Sequence, residues 1–137
     1  MTTIHSITAY LVVFFVGFAF LNAFFKWQKG SDFKKSDRTI SLIALILSHI
    51  QLLIGFAVWG HNGYYKIMGE AMKEASLRKL AVEHPVSMIL AIVLITIGWS
   101  KHKKQGNDKG KFKSIAIFYG LGFLVILGMI PWNQWFS

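Results

Sequence analysis

Four long stretches of this chain carry no charge, and that blocking constrains the fold more than any other feature. Residues 1–25, 39–60, 85–100 and 114–137 contain no Asp, Glu, Lys or Arg. A helix needs about 20 apolar residues, within a range of about 17–25, to cross a bilayer. Only helices and closed barrels satisfy their main-chain polar groups without water there. The runs therefore predict an all-α membrane protein, a single four-transmembrane-helix bundle over 1–137, with spans at about 4–27, 38–60, 82–100 and 114–131. The third run is the shortest and draws on residues before Pro85. A hydrophobic content of 54% agrees, being too high for a soluble domain of 137 residues. The first run lacks both a basic segment before it and a small-residue cleavage site after it, so it reads as a retained span and not a leader.

The net charge of +9 sits between the apolar runs. In a soluble chain it would point to nucleic acid; here it reads as topology. The first and third connections carry Lys26, Lys29, Lys34, Lys35, Arg38, Lys101, Lys103, Lys104, Lys109, Lys111 and Lys113. The second carries only Lys66, Lys73, Arg78 and Lys79, offset by Glu70, Glu74 and Glu83. The positive-inside rule places the two lysine-rich connections in the cytoplasm and both termini outside, in a bacterial inner membrane. Trp27 and Trp99 then fall at inner ends, and Trp59, Trp132 and Trp135 at outer ends, as an aromatic belt requires. Partners expected on these grounds are the lipid bilayer and other membrane proteins, with no nucleic acid.

Polar residues inside the runs mark what a bilayer tolerates only for a reason. Asn22 reads as an interhelical hydrogen-bonding residue. Ser36 and Asp37 are good N-caps for the second helix. Within that helix, His49 lies near mid-membrane, and Gln51 points about 200° away from it. Gly55 permits close approach of a neighbouring helix or a flat ligand. Between spans two and three, Tyr65, Met68, Met72 and Ala75 recur at helical spacing, with Glu74 and Arg78 at i, i+4. This predicts a short amphipathic helix capping the bundle or lying on the membrane surface. Pro85 suits a first helical turn and places His84 at a cap or kink. In the fourth span Gly120, Gly122 and Gly128 suggest close packing, and Pro131 ends the helix.

Four of the five histidines fall in the outer half or near mid-membrane: His5, His49, His61 and His84. His102 sits among lysines and reads as solvated. Counted from the inner ends at about 1.5 Å per residue, His49 is roughly 17 Å deep, His84 roughly 25 Å and His5 roughly 33 Å. Two axial imidazoles on one haem must face each other at nearly one depth. His49 with His84 is the first choice, because both are embedded, and His5 with His84 the second. The chain has no cysteine, which excludes thiolate sites, disulfides and covalent haem attachment. Two plainer readings stand beside haem: histidines that only hydrogen-bond between helices, and a zinc or copper site from His5, His61 and His84 with Glu83 nearby. No nucleophile–base–orienter set is visible, so no catalysis is read.

The stretches SHIQLLIG (48–55), AVEHPVSMILAIVLITIG (81–98) and KFKSIAIFYGL (111–121), with the pair His5-Ser6, resemble the small four-helix bacterial membrane proteins of the cytochrome b-like family. The resemblance covers nearly the whole chain, and its most distinctive parts are EHP before a span and HIQ within one. It departs at Thr3, Ala9 and Tyr10, where the family pattern has a second histidine and an Arg-Trp pair. The resemblance implies haem b, with His5, His49 and His84 as the positions to carry over as ligands, and a membrane electron-transfer role. The rival expectation is a haem-free accessory subunit of a larger inner-membrane complex.

Overall fold

The structure, a computed structural model, describes residues 2–130. Four long helices form an all-α bundle: α1 (Thr2–Lys29), α2 (Lys35–His61), α5 (His84–Lys104) and α6 (Asp108–Met129). Between α2 and α5 lie a 3₁₀ turn (Tyr64–Lys66), two single-turn helices α3 (Met68–Ala71) and α4 (Ala75–Arg78), and a π turn (Lys79–Glu83). No strand occurs among the described residues. Four helical segments are long and apolar enough to cross a membrane, so the chain is a multi-pass membrane protein by length and composition. Pro131, Trp132, Trp135 and the end of the fourth span lie outside the described residues.

The long helices alternate in direction. Packing runs α2–α1–α6–α5, and a sparser α2–α5 seam closes the ring. One end gathers the start of α1, the ends of α2 and α6, and the start of α5. The other end gathers the lysine-rich connections. Lipid gives helices little hydrophobic reason to associate, so small residues that allow close packing carry the interface. The core follows this rule: Ala19, Ala23, Ala44, Ala91 and Ala116 are buried around Val16, Ile95, Ile115 and Tyr119. On α6, a Cβ at Gly122 would stand 3.0 Å from the Ala91 carbonyl of α5, and one at Gly120 would stand 2.7 Å from Phe20 of α1. Gly128, expected to pack in the same way, faces open space.

At the lysine-rich end, Asp37 is 1% exposed and fully partnered. It accepts from Lys26 Nζ at 2.6 Å, Asn22 Nδ2 at 3.0 Å and the Lys34 main-chain N–H at 2.9 Å. Asn22 thus bridges helices, as its position suggested. The N-cap of α2 is Lys34, and neither Ser36 nor Asp37 holds that place; Asp37 sits three residues into the helix and caps backward. Tyr119 of α6 is buried, and its hydroxyl donates to the Ser41 carbonyl of α2 at 2.8 Å.

The link between α2 and α5 differs from the expected amphipathic helix. Glu74 is extended (φ −113°, ψ 123°) and separates α3 from α4. Ala71 is buried, whereas Tyr65 and Met72 are more than half exposed, so the expected apolar face is not the buried one. The i, i+4 pair is not made: Glu74 accepts from Ser76, and Arg78 reaches the Met72 carbonyl and Glu83. Local hydrogen bonds at this polar break compete with helix propagation. His84 itself is helical (φ −64°, ψ −51°) and begins α5 directly after the π turn. Pro85 has no N–H to offer the carbonyl four residues earlier, which belongs to Ala81. The indole of Trp59 donates there instead, at 2.9 Å.

Candidate functional site

The end opposite the lysines contains a partly open cavity of about 240 Å³, lined by all four long helices. Val12, Val13, Leu52, Phe56, Met88, Ile92 and Ile126 give it apolar walls, and Trp59, Asn62 and Tyr64 line it where α2 ends and the link begins. Its polar interior comes from His5, Ser6, Ser48, Gln51 and His84.

His5 and His84 both line this space and meet there edge to face. Their ring centres are 6.4 Å apart and their planes are at 89°. Each ring has its Nδ1 engaged. His84 Nδ1 lies 3.0 Å from the Met129 carbonyl, an acceptor, so His84 carries its proton there and leaves Nε2 with a lone pair. His5 Nδ1 lies 2.8 Å from Gln51 Nε2, which also donates to the His5 main-chain carbonyl at 2.9 Å. An amide nitrogen has no lone pair to offer, so His5 Nδ1 accepts and its proton sits on Nε2. The other end of the Gln51 amide accepts from the Thr8 hydroxyl. Gly55 completes the seat: a Cβ there would come within 3.5 Å of the His5 ring.

The three candidate ligands do not share one place. His5 and His84 are together. His49 is exposed on α2, hydrogen-bonded at 2.9 Å to its own helix at Leu45, and is not among the cavity residues. The first-choice pairing of His49 with His84 is therefore not the one the fold brings together. The reason is helical phase. The buried stripe of α2 is Ser41, Ala44 and Ser48, and it continues toward Gln51 and Gly55 in the cavity. His49 is one position, about 100°, off that stripe. Sequence reasoning missed Gln51 as a site residue. The signal that could have found it is this row of small residues at three- and four-residue spacing, which marks a helix-facing side in lipid. Among the described residues no group of three or more His, Asp or Glu side chains converges to hold a metal ion, and His61 does not line the cavity.

The donor set was tested against a haem. Two imidazoles bound on opposite sides of one metal, at about 2 Å per metal–nitrogen bond, stand roughly 6 Å apart between ring centres. The observed 6.4 Å is close to that separation and equally lies within the range of about 4.5–7 Å at which two rings meet edge to face. His84 already has the outward Nδ1–H bond to a carbonyl that metal-bound imidazoles use. His5 would need its proton moved to Nδ1, and the Gln51 amide turned to present its oxygen. The cavity is smaller than pockets that enclose a cofactor-sized molecule, roughly 300–1,000 Å³, so a macrocycle held here is only partly enclosed.

His102, expected in water, is instead buried at the lysine-rich end against Trp99 and Phe33, with ring centres 4.5 and 5.5 Å away. Comparison with protein-family models, curated proteins and solved structures returns no match for this chain.

Proposed function

We propose that this chain is a membrane electron-transfer protein of b-type cytochrome character, with a non-covalent haem b held between His5 and His84. The observation that carries the reading is the opposed pair of imidazoles, 6.4 Å apart, on two different helices inside an apolar cavity. A haem held by both histidines would supply electron exchange and not oxygen chemistry. The chain's own residues do the rest. Met129 orients His84 through its carbonyl, and Gln51 holds His5 from the facing helix. Leu52, Phe56 and Ile126 give the site apolar walls. The lysine bias puts the other end of the bundle in the cytoplasm of a bacterial inner membrane, with the histidine pair toward the outside.

The test is a dithionite-reduced minus oxidised absorbance spectrum of the protein purified in mild detergent from haem-replete cells. Sharp b-type bands near one haem per chain are expected. His5→Ala and His84→Ala should lose them, and His49→Ala should keep them. A colourless wild type overturns the reading and leaves a haem-free accessory subunit, whose copurifying partners become the next measurement. Bands that vanish in His49→Ala but survive in His5→Ala overturn the ligand pair alone.

A further inference from the structure

A second concavity lies at the opposite end of the bundle, and its chemistry differs from the first. Lys34, Lys35, Arg38, Lys103 and Lys111 line a cavity of about 360 Å³ between the α1–α2 connection and the facing ends of α5 and α6. No carboxylate lines it, and none of these five cations has an ion-pair partner among the described residues. Of the acids near it in sequence, Asp32, Asp37 and Asp108, none lines the pocket, and Asp37 is spent on Lys26, Asn22 and the Lys34 N–H. Four of the five are exposed to solvent, which screens their repulsion, and their gathered charge favours an anion at the concavity.

The site is also shaped. Phe33 and His102 line it with the cations, and their rings are 5.5 Å apart. The Arg38 guanidinium lies 5.2 Å above the Trp99 ring, Lys103 Nζ 5.8 Å above the same ring, and Lys111 Nζ 5.4 Å above Phe33. Aromatic faces of this kind hold cations in place without neutralising them. Lys34 and Lys35 also stand at the start of the 27-residue helix α2, where the helix dipole adds positive potential. Trp27 and Trp99 at this end mark the depth of an interfacial belt.

We propose that this pocket binds a phosphate group, with Arg38 as the bidentate donor and Lys35 and Lys111 as flanking charges. The phosphate belongs either to an anionic lipid headgroup or to a free phosphate, and the chemistry of recognition is shared. The pocket is independent of the histidine pair, so the assignment stands whether or not haem binds.

The experiment uses the full chain in mild detergent, stripped of lipid and read by native mass spectrometry and thermal unfolding. The probes are phosphatidylglycerol, phosphatidylcholine and inorganic phosphate. One variant combines Lys35→Gln, Arg38→Gln and Lys111→Gln. Its control, Lys104→Gln, Lys109→Gln and Lys113→Gln, removes the same charge from the same end outside the pocket. The wild type and the control should retain one phosphatidylglycerol in preference to phosphatidylcholine, and the pocket variant should bind it at least about tenfold more weakly. If inorganic phosphate alone raises the unfolding temperature of the wild type and control but not of the pocket variant, the pocket is still supported and the source is free phosphate. Equal loss in both variants shows diffuse attraction to a basic surface and overturns the site, as does absence of binding by either anion. If the triple variant fails to fold, Arg38→Gln alone is read against Lys104→Gln by the same criteria.

Discussion

The two ends of the bundle solve the same problem in opposite ways. At the lysine-rich end, two buried polar groups are answered across helices: Asp37 by Lys26 and Asn22, with the Lys34 N–H, and the Tyr119 hydroxyl by Ser41. At the histidine end, the polar groups are only half answered. His5 and His84 are each tethered through Nδ1, are half-buried, and line a shared cavity. A satisfied buried network makes an end rigid, and a half-buried polar group with a ring nitrogen to spare is where a ligand can be held. The difference separates residues that hold the bundle together from residues that line a cavity within it.

Substitutions at the two ends should therefore have separable effects. The largest is expected for His84→Ala, which should abolish haem retention yet lower the stability of the haem-free protein by only about 1 kcal/mol, the worth of its bond to Met129. Spectra and unfolding measured on the same preparation check both halves. A haem-free variant that no longer folds would break the comparison. Next is Asp37→Ala, which leaves Lys26 without its counter-charge. Breaking a buried pair costs about 3–5 kcal/mol, and because Lys26 is 33% exposed a smaller loss, roughly 2–3 kcal/mol, is expected here. Denaturant unfolding in detergent measures it, and the spectrum per folded molecule should not change. Gln51→Leu should weaken haem retention by about 10–100-fold, the usual effect of removing the partner of a metal-bound histidine. A haem titration of the stripped protein reads it, and Gln51→Glu, which can only accept, should restore binding. The smallest is Tyr119→Phe, which should cost about 1 kcal/mol with no change in haem binding.

Much of this was legible in the sequence because a bilayer imposes long-range rules on a short chain. Charge-free runs gave four spans, and Asn22 alone among the polar residues of the first span's lysine-rich half pointed to a helix–helix bond. The link after α2 was less legible. Its apolar residues follow helical spacing, yet its hydrogen bonds run locally at Glu74 and Arg78 and split the segment. Trp59 was read only as a belt residue, whereas it also supplies the donor that Pro85 withholds from Ala81.

The sequence by itself determined that this chain has four segments long and apolar enough to cross a membrane and that most of its histidines fall away from the lysine-rich connections. Length, hydropathy and charge decide those matters, and each is additive along the chain. Only the tertiary structure decided which histidines meet. Depth along a helix can be counted at about 1.5 Å per residue, but facing depends on an angle that turns about 100° with every residue. A single step in phase moves His49 out to the surface of α2 and turns Gln51 in toward His5. Which phase is chosen depends on how Ser41, Ala44 and Ser48 pack against the other helices, and that is a property of the assembled bundle.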